Sequence, residues 1–562
     1  MTKTGDFTPP GPGVWELEAT HMSRPLSRAL EGIFPDAATE GFRWSMERYG
    51  MLLEYMEFKV VNRFIYICPR AVGAPKGAKG PPPRLIFKLL LKLHPEVKKR
   101  LRTLTEVFRT RRWREDVERW DKEWKPAIER ENAALQSVGV RALTDAELSA
   151  HLDRCFDKVR RAVVRHHSLN ATAMLPIGDF LVHMKQWTGL DPAEVLPIFR
   201  GASRVSQGAT EELSQLVAAI REHPDAETLL ANQDAQAIVD ALLARPDAVG
   251  AVAKRYIDKT GIRIVTGYDI ADLTLSEMPE LVVETIRAAV SGHRTATADD
   301  VAAREAALRE RVPAEHRATF DALLAEARLT YRVRDERTWL NDMWSAGIAR
   351  TAILEAGRRL ASRGRLHDAS HAVDLTFAEI RSLLTGGTGP TAEQVAAHTE
   401  YRLKHTTDDA PRYLGGTPSG PPPSEWLPAE AARAERAIGI VLGEMFASRD
   451  RQERSSAKVT GFAASPGAVT GTARLVLQPE DMGRVRKGDL LIARSTSPAY
   501  NALLPLIGGV VTDRGGTLSH AAVVAREYGI PAVVGTGNAT ELIRDGMKVR
   551  IDGGNGTVEI LA

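Results

Sequence analysis

Hydrophobic positions recur at three- and four-residue intervals through most of the first 450 residues. The segments Ala302–Arg311, Ala314–Leu329 and Leu340–Arg363 are rich in Ala, Leu, Glu and Arg. Their apolar residues would share one face of a helix. Pro and Gly interrupt these segments, and no fixed repeat period connects them. The pattern predicts a large helical region that is not a solenoid.

The pattern changes near residue 456. From Lys458 onward, short β-branched runs alternate with Gly and Pro turns, as in KVTGFAASPGAVTGTARLVL and KVRIDGGNGTVEIL. One helical pattern, Ser519–Tyr528, lies between two predicted strands. About 105 residues of this kind predict one compact α/β domain after the helical region. The predicted fold class is therefore multidomain, α followed by α/β.

Proline-rich segments suggest where the chain divides. Asp408–Pro423 (DDAPRYLGGTPSGPPP) disfavours both helix and central strand, so we expect an extended, semi-rigid linker. The helical pattern Glu425–Met445 would connect this linker to the last domain. The predicted organisation is a flexible tail 1–13, a helical domain 14–407, a linker with its connecting helix 408–457, and an α/β domain 458–562.

Composition restricts the classes of partner. The chain has 562 residues, 43% hydrophobic and 26% charged, and a formal net charge of +3. That charge is too small to indicate nucleic acid or an anionic membrane as the main partner. No run of about 18 apolar residues occurs, so no membrane span is expected. With two cysteines and no signal-peptide pattern, we expect a cytoplasmic protein.

The sharpest chemical feature is the segment GGTLSHAAVVARE, residues 515–527. Gly515 and Gly516 allow a tight turn, and Thr517 or Ser519 can cap the following helix. His520 would then lie in the first helical turn, where unpaired N–H groups and the helix dipole stabilise an anion. That position also lowers the pKa of the imidazole and favours its neutral, nucleophilic form. The alternative is that His520 only caps the helix or packs.

This segment resembles the mobile phosphohistidine domain of the phosphoenolpyruvate-utilising enzymes. The resemblance continues through GFAASPGAVTGTA, LIARSTSPAYNALL and IRDGMKVRIDGGNGTVEI, about 105 residues in all. It implies that His520 carries a phosphoryl group and that the domain swivels between two distant sites. Gly515, Gly516, Thr517 and Ser519 would shape the loop around the phosphorylated ring. For Arg526, pairing with phosphate or with a docking partner and a structural salt bridge are both open.

The helical domain has a second resemblance. VWELEATHMSRPLSR with GFRWSMERYG, and later Tyr331–Gly364, are similar to the opening and closing of the substrate domain of rifampin phosphotransferases. The resemblance implies a domain that binds a small organic molecule as the phosphoryl acceptor. Neither a Walker loop nor an ATP-grasp pattern occurs, so we expect no cofactor on this chain. ATP and Mg²⁺ would instead bind a separate ATP-grasp partner protein.

Several residues of the helical region are candidates for binding the acceptor. They are His21, in the opening motif, and Trp339 and Asp335, in the closing helices. Asp335, Glu336 and Asp342 are candidate general bases, with ion pairs to neighbouring arginines as the alternative. His166 and His167 could line a pocket or bind a metal, but their spacing matches no ligand pattern and we predict no metal site.

The sequence predicts a phosphotransferase acting through a phosphohistidine. A phosphoryl group would pass from the ATP-grasp partner to His520 and then to the organic acceptor. It would give a stable phosphate ester or activate an oxygen for elimination or cyclisation. Two alternatives remain: a relay supplied by phosphoenolpyruvate, and a non-catalytic binding or scaffold protein with a vestigial histidine domain.

Overall fold

The computed structural model describes residues 7–203, 211–232, 234–291, 298–447, 457–496, 500, 503–504 and 506–561. The chain forms two compact units, each assembled from three segments. The first unit comprises Met1–Leu175, Tyr268–Ala271 and Leu340–Ile438. The second unit comprises Pro176–Gly267, Asp272–Trp339 and Gly439–Ala562. The boundaries predicted at residues 407 and 457 stay predictions, and residues 448–456 of the predicted linker lie outside the described residues.

Helices dominate the part of the chain before residue 447, as the periodicity predicts. The helices are α1 Arg28–Glu31, α2 Phe34–Arg48, α3 Arg84–Leu93, α4 Pro95–Thr110, α5 Trp113–Arg119, α6 Lys125–Gln136, α7 Asp145–Ser168, α8 Asn170–Thr188, α9 Pro192–Val195, α10 Glu211–Glu222, α11 Pro224–Leu229, α12 Ala235–Ala244, α13 Ala248–Thr260, α14 Pro279–Val290, α15 Ala298–Arg311, α16 Arg317–Arg337, α17 Trp344–Ser362, α18 Phe377–Leu384, α19 Ala392–Lys404, α20 Ala429–Phe446, α21 His520–Tyr528 and α22 Ala539–Leu542. Two short π-helical turns, Trp120–Trp124 and Thr338–Met343, interrupt the regular helices.

Within the described part of the chain, strands form one sheet in each unit. The strands are β1 Trp15–Leu17, β2 Leu53–Val61, β3 Phe64–Ala71, β4 Tyr413–Leu414, β5 Lys458–Thr460, β6 Phe462–Ser465, β7 Ala468–Val476, β8 Leu490–Ala493, β9 Gly509–Thr512, β10 Ala532–Val534, β11 Lys548–Asp552 and β12 Thr557–Ile560. Among the described residues, no helix combines the length and the apolarity needed to cross a membrane.

The first unit packs helices around a small antiparallel sheet of order β2-β3-β1-β4. The predicted extended linker supplies β4 at the sheet edge, where Tyr413 pairs with Glu16 of β1. An edge position suits a proline-rich segment, because proline cannot donate to a central ladder. Helices α2 and α7 approach closely at Gly41, where a Cβ atom would lie 2.4 Å from the carbonyl oxygen of Val164. Glycine at this position therefore permits the close helix packing.

A buried ion cluster joins distant segments of the first unit. The carboxylate of Asp374, fully buried, accepts hydrogen bonds from the guanidinium groups of Arg63 and Arg402. The Arg402 Nη2 to Asp374 Oδ2 distance is 3.0 Å. Burial raises the pKa of Asp374, but the two arginines lower it by more, so the net shift is downward. The cluster thus fixes the β2–β3 turn and α19 to one carboxylate.

The second unit contains an eight-stranded mixed sheet of order β5-β12-β11-β7-β8-β9-β10-β6. Strands β7 to β10 run parallel, while the outer strands pair antiparallel. Strands β8, β9 and β10 are buried along their whole length. Continuous burial is typical of parallel strands that are covered on both faces. The predicted fold class, a helical region followed by an α/β domain, is confirmed.

We predict that Asp374→Asn lowers the free energy of unfolding of the protein by about 3–5 kcal/mol, because it leaves Arg63 and Arg402, whose side chains are each only 12% exposed, without their counter-charge. Thermal unfolding measured by calorimetry would test this. The carboxyl pKa is depressed in the folded state, so the loss should be constant above about pH 5 and shrink as pH falls below about 4. The control Asp36→Asn, at an exposed carboxylate paired to Lys59 at 3.9 Å, should change little. An equal effect of both substitutions would contradict the prediction.

Candidate active site

His520 is the first residue of α21, immediately after the loop that follows the buried strand β9. Ser519 caps the helix in an extended conformation, and its hydroxyl accepts a hydrogen bond from the Ala522 N–H at 3.4 Å. Gly529 ends the helix in the left-handed conformation, with φ of 64°. The predicted helix and its cap are confirmed. The His520 ring therefore lies beside the first-turn N–H groups and the positive end of the helix dipole.

Neighbouring atoms lie too close to residues 515 and 516 for either to carry a side chain, so both positions require glycine. Gly515 has φ of +97°, and a Cβ atom there would lie 2.6 Å from the Cβ of Ser519. A Cβ atom on Gly516 would lie 2.6 Å from the carbonyl oxygen of Glu444, which is a backbone atom. Neither position accepts a side chain without movement of its neighbour. That these glycines shape the loop around a phosphorylated ring stays a prediction.

The end of α20 holds this loop. The hydroxyl of Thr517 donates a hydrogen bond to the carboxylate of Glu444. The N–H of Leu518 donates to the carbonyl oxygen of the same Glu444 at 2.8 Å. Two groups of one residue therefore fix two successive loop residues. In this structure Thr517 serves the loop's attachment to α20.

The chemical state of His520 is set by its surroundings. Its Nδ1 atom hydrogen-bonds the hydroxyl of Thr496 at 2.9 Å, and the residue is partly exposed. Desolvation of the ring, with the charge of Arg334 as a second cause, lowers the pKa of His520 to about 3. The imidazole is therefore neutral at physiological pH, which leaves one ring nitrogen with a lone pair for nucleophilic attack.

Arg334 reaches the same loop from α16. Its Nη1 atom donates to the carbonyl oxygen of Leu518 at 2.8 Å, and its charge opposes protonation of His520. Sequence reasoning missed Arg334, Thr496 and Glu444 as parts of this site. Thr496 lies inside the motif LIARSTSPAYNALL, which was a usable signal, although residues 497–499, 501–502 and 505 lie outside the described residues. From the sequence alone, Arg334 is only one of the arginines that could form ion pairs with Asp335, Glu336 and Asp342.

Arg526 is buried on α21 and donates a hydrogen bond to the carbonyl oxygen of Ala464 at 3.0 Å. Burial lowers the pKa of its guanidinium, and the neighbouring Tyr331 raises it. The next residue, Glu527, accepts the N–H of Gly201 at 2.8 Å, and burial raises its pKa to about 7. These contacts attach α21 to its neighbours within the second unit. A role of Arg526 toward phosphate stays a prediction.

Asp335 and Trp339 belong to the second unit. Asp335 is 9% exposed, and its Oδ1 atom lies 3.8 Å from the Nε of Arg334. The structure therefore brings Asp335 next to a residue that contacts the His520 loop. The ring of Trp339 lies under the guanidinium of Arg263, with the Cζ atom 4.6 Å from the ring centroid. A role of these two side chains in acceptor binding stays a prediction.

His21 belongs to the first unit and is exposed. Its Nδ1 atom lies 2.9 Å from Oε1 of Glu18, and its ring meets Tyr268 edge-on at 5.4 Å. The contact with Glu18 is that of a local ion pair or hydrogen bond, and a role in acceptor binding stays a prediction. Among the described residues, no group of three or more His, Cys, Asp or Glu side chains is arranged to hold a metal ion.

Two segments of the chain match known domain families. Residues 485–556 match the PEP-utilising enzyme, mobile domain, and residues 167–343 match the rifampicin phosphotransferase fourth domain. The C-terminal part of the chain, which contains His520, is thus similar to the mobile domain of the phosphoenolpyruvate-utilising enzymes. The helical segment 167–343 is similar to the fourth domain of rifampicin phosphotransferases.

Individual relatives agree with these matches. An uncharacterized phosphotransferase, YvkC, from Bacillus subtilis is 30% identical over 44% of this chain and 28% of its own length. A rifampicin phosphotransferase from a Streptomyces species is 28% identical over 67% of this chain and 42% of its own length. Chondramide synthase from Chondromyces crocatus is 28% identical over 70% of this chain and 10% of its own. The chain thus spans less than half the length of these curated relatives.

We predict that Gly516→Ala destabilises the C-terminal domain by about 1–3 kcal/mol, because the new methyl group overlaps the Glu444 carbonyl oxygen. A lower midpoint of thermal unfolding, followed by calorimetry, would show this. Gly483→Ala is the matched control, since a Cβ atom there meets nothing within 4 Å. If Gly516→Ala proved as stable as Gly483→Ala, the close contact between the loop and α20 would be refuted.

Proposed function

We propose that this protein is a phosphotransferase that carries a phosphoryl group on His520. The observation that carries the proposal is a neutral histidine at the start of α21, hydrogen-bonded to Thr496 and surrounded by the glycine loop. The match of residues 485–556 to the mobile domain supports it. The similarity to rifampicin phosphotransferases also supports it.

The nucleophile in this proposal is Nε2 of His520. When Nδ1 carries the proton and donates it to the Thr496 hydroxyl, Nε2 keeps the lone pair that attacks phosphorus. The new phosphoryl group would meet the first-turn N–H groups of α21. The positive charge of Arg334, which disfavours the imidazolium, favours a bound phosphoryl group for the same electrostatic reason.

The donor in this proposal is ATP held by a separate ATP-grasp protein, with Mg²⁺ at that protein's nucleotide site. The β-phosphoryl group would reach His520, and AMP and phosphate would be released as one water is consumed. The mobile domain would then present the phosphohistidine to the acceptor. We propose a bulky, uncharged organic acceptor with a reactive hydroxyl. The relatives named rifampicin phosphotransferase support an organic acceptor.

The decisive experiment is incorporation of label from ATP labelled at the β-phosphate. We expect an acid-labile, base-stable label on the wild-type protein when an ATP-grasp protein is added. His520→Ala should abolish the label, because the nucleophilic nitrogen is lost. His223→Ala is the control, since this histidine lies elsewhere in the second unit and its ring bonds only the Ala219 carbonyl among its described contacts.

Each outcome of the labelling experiment decides between functions. Label from phosphoenolpyruvate instead of ATP would replace the donor and keep the relay. Label that persists in His520→Ala would show that His520 is not the nucleophile. No label with either donor and any added ATP-grasp protein would favour the non-catalytic binding protein.

We predict that His520 does not titrate between pH 5 and pH 8, because its pKa lies at about 3. The neutral fraction of the ring is then constant, so the rate of His520 phosphorylation should show no inflection from this group. Imidazole NMR resonances recorded against pH would test the same point. In Arg334→Met the pKa of His520 should rise, since one of the two causes of its depression is removed. An inflection of the wild-type resonance near pH 6.5 would contradict the prediction.

A further inference from the structure

The outer side of α3, in the first unit, is apolar and largely exposed. Ten large apolar side chains of the described residues are exposed, and four of them belong to this one helix of ten residues. They are Leu85, Ile86, Leu89 and Leu93, each between 54% and 81% exposed. A single exposed leucine is ordinary, whereas a cluster of this kind marks a surface that binds a partner. We call these four side chains the apolar stripe.

The opposite side of α3 attaches the helix to the first unit. Phe87, Leu90 and Leu91 are partly buried there. The ring of Phe87 packs against Trp426, with the two ring centroids 5.9 Å apart. Within the apolar stripe, Ile86 and Leu89 are spaced so that they share one side of the helix, away from these contacts. The packed side therefore holds the helix in place and leaves the apolar stripe as its outer surface.

Positive charge borders the apolar stripe. Arg84, Lys88 and Lys92, each four residues from the next, are exposed and form no ion pair with a described residue. Lys76 and Lys79 are exposed in the preceding loop. Between residues 72 and 95 the chain has five Lys or Arg residues and no Asp or Glu. The small net charge of the whole chain, +3, therefore conceals a concentrated positive region beside an apolar surface.

The residue types of this surface favour lipid over protein as its partner. The centres of protein interfaces are enriched in Tyr, Trp, Met and Arg, and lysine is depleted there. The apolar stripe contains only Leu and Ile, and the one aromatic residue of the helix, Phe87, faces Trp426. Lysine can lay its aliphatic stem along an apolar surface and extend its ammonium group to a phosphate. Aliphatic residues with lysines beside them are typical of helices that lie at a lipid–water interface.

We propose that α3 docks this protein on an anionic phospholipid surface. The apolar stripe would enter the boundary of the acyl chains, while Arg84, Lys88 and Lys92 pair with lipid phosphates. Lys76 and Lys79 would add attraction within a Debye length of the surface. The helix would lie in the plane of the interface and would not cross the bilayer. This contact does not use His520, so it does not depend on the proposed relay.

The test is co-sedimentation of the full chain with lipid vesicles, without nucleotide. The vesicles contain phosphatidylcholine alone, or phosphatidylglycerol and phosphatidylcholine in equal parts. We expect the wild type to bind the anionic vesicles at least about tenfold more tightly, because several cations act together at a negative surface. Raising the ionic strength to about 1 M, where the Debye length is about 3 Å, should remove this difference.

Two substitutions separate the apolar contribution from the charged one. Leu89→Gln should weaken binding to the anionic vesicles about tenfold, since one leucine side chain no longer enters the lipid. Lys88→Gln should weaken the same binding about fivefold. Leu403→Gln and Lys404→Gln are the matched controls, because both residues are exposed on α19 of the same unit, and they should bind as the wild type does. All four side chains are exposed, so the midpoint of thermal unfolding should stay that of the wild type.

A fluorescent label reports which side of the protein meets the lipid. Leu89→Cys and the control Leu403→Cys can each be labelled with a polarity-sensitive fluorophore, since the natural cysteines Cys68 and Cys155 are buried. Only the label at position 89 should shift its emission to shorter wavelength when anionic vesicles are added.

Three results would overturn the proposal on lipid alone: equal binding of the wild type to both kinds of vesicle, equal binding of Leu89→Gln and Leu403→Gln, or equal shifts of the two labels. Sedimentation velocity without lipid tests a second copy of the chain as the occupant. A wild-type dimer that Leu89→Gln converts to a monomer would assign the apolar stripe to self-association and overturn the proposal as well.

Discussion

The site around His520 depends on one steric constraint: the loop before α21 must leave room for the end of α20. The carbonyl oxygen of Glu444 lies 2.6 Å from the position that a Cβ atom on residue 516 would take, and residue 515 has a positive φ. Once glycine meets both conditions, the Leu518 N–H and the Thr517 hydroxyl can bond to Glu444. Ser519 then caps α21, and His520 is placed beside the helix N-terminus.

The electrostatic surroundings of His520 favour the neutral form of its ring. The His520 ring is desolvated and lies near Arg334, and both effects disfavour its protonated form. A neutral ring is the form that can attack phosphorus, and the product would be an anion for which a nearby guanidinium is favourable. The same charge therefore suits the histidine before and after phosphoryl transfer.

Sequence patterns predicted those features that are determined by residues close together in the chain. The cap, helix and final glycine of Ser519–Gly529 lie within eleven residues, and the apolar runs of β8, β9 and β10 reflect their burial. Thr496, Glu444 and Arg334 were missed because only tertiary structure brings them to the loop. The helical pattern also continues through α8, which spans the boundary at residue 175 between the compact units. The hydrophobic periodicity of a sequence indicates which face of a helix is buried. It does not indicate which compact unit that face packs in.

The attachment of the loop to α20 limits how freely this domain can be moved between proteins. The sheet begins at Lys458, and a graft cut there would contain every strand of the sheet and the histidine itself. It would leave Glu444 behind, together with the acceptors for the Thr517 hydroxyl and the Leu518 N–H. The transferable module is therefore longer than the sheet, and its upstream limit lies within α20. Recombination that respects this limit exchanges the histidine together with the helix that shapes its loop.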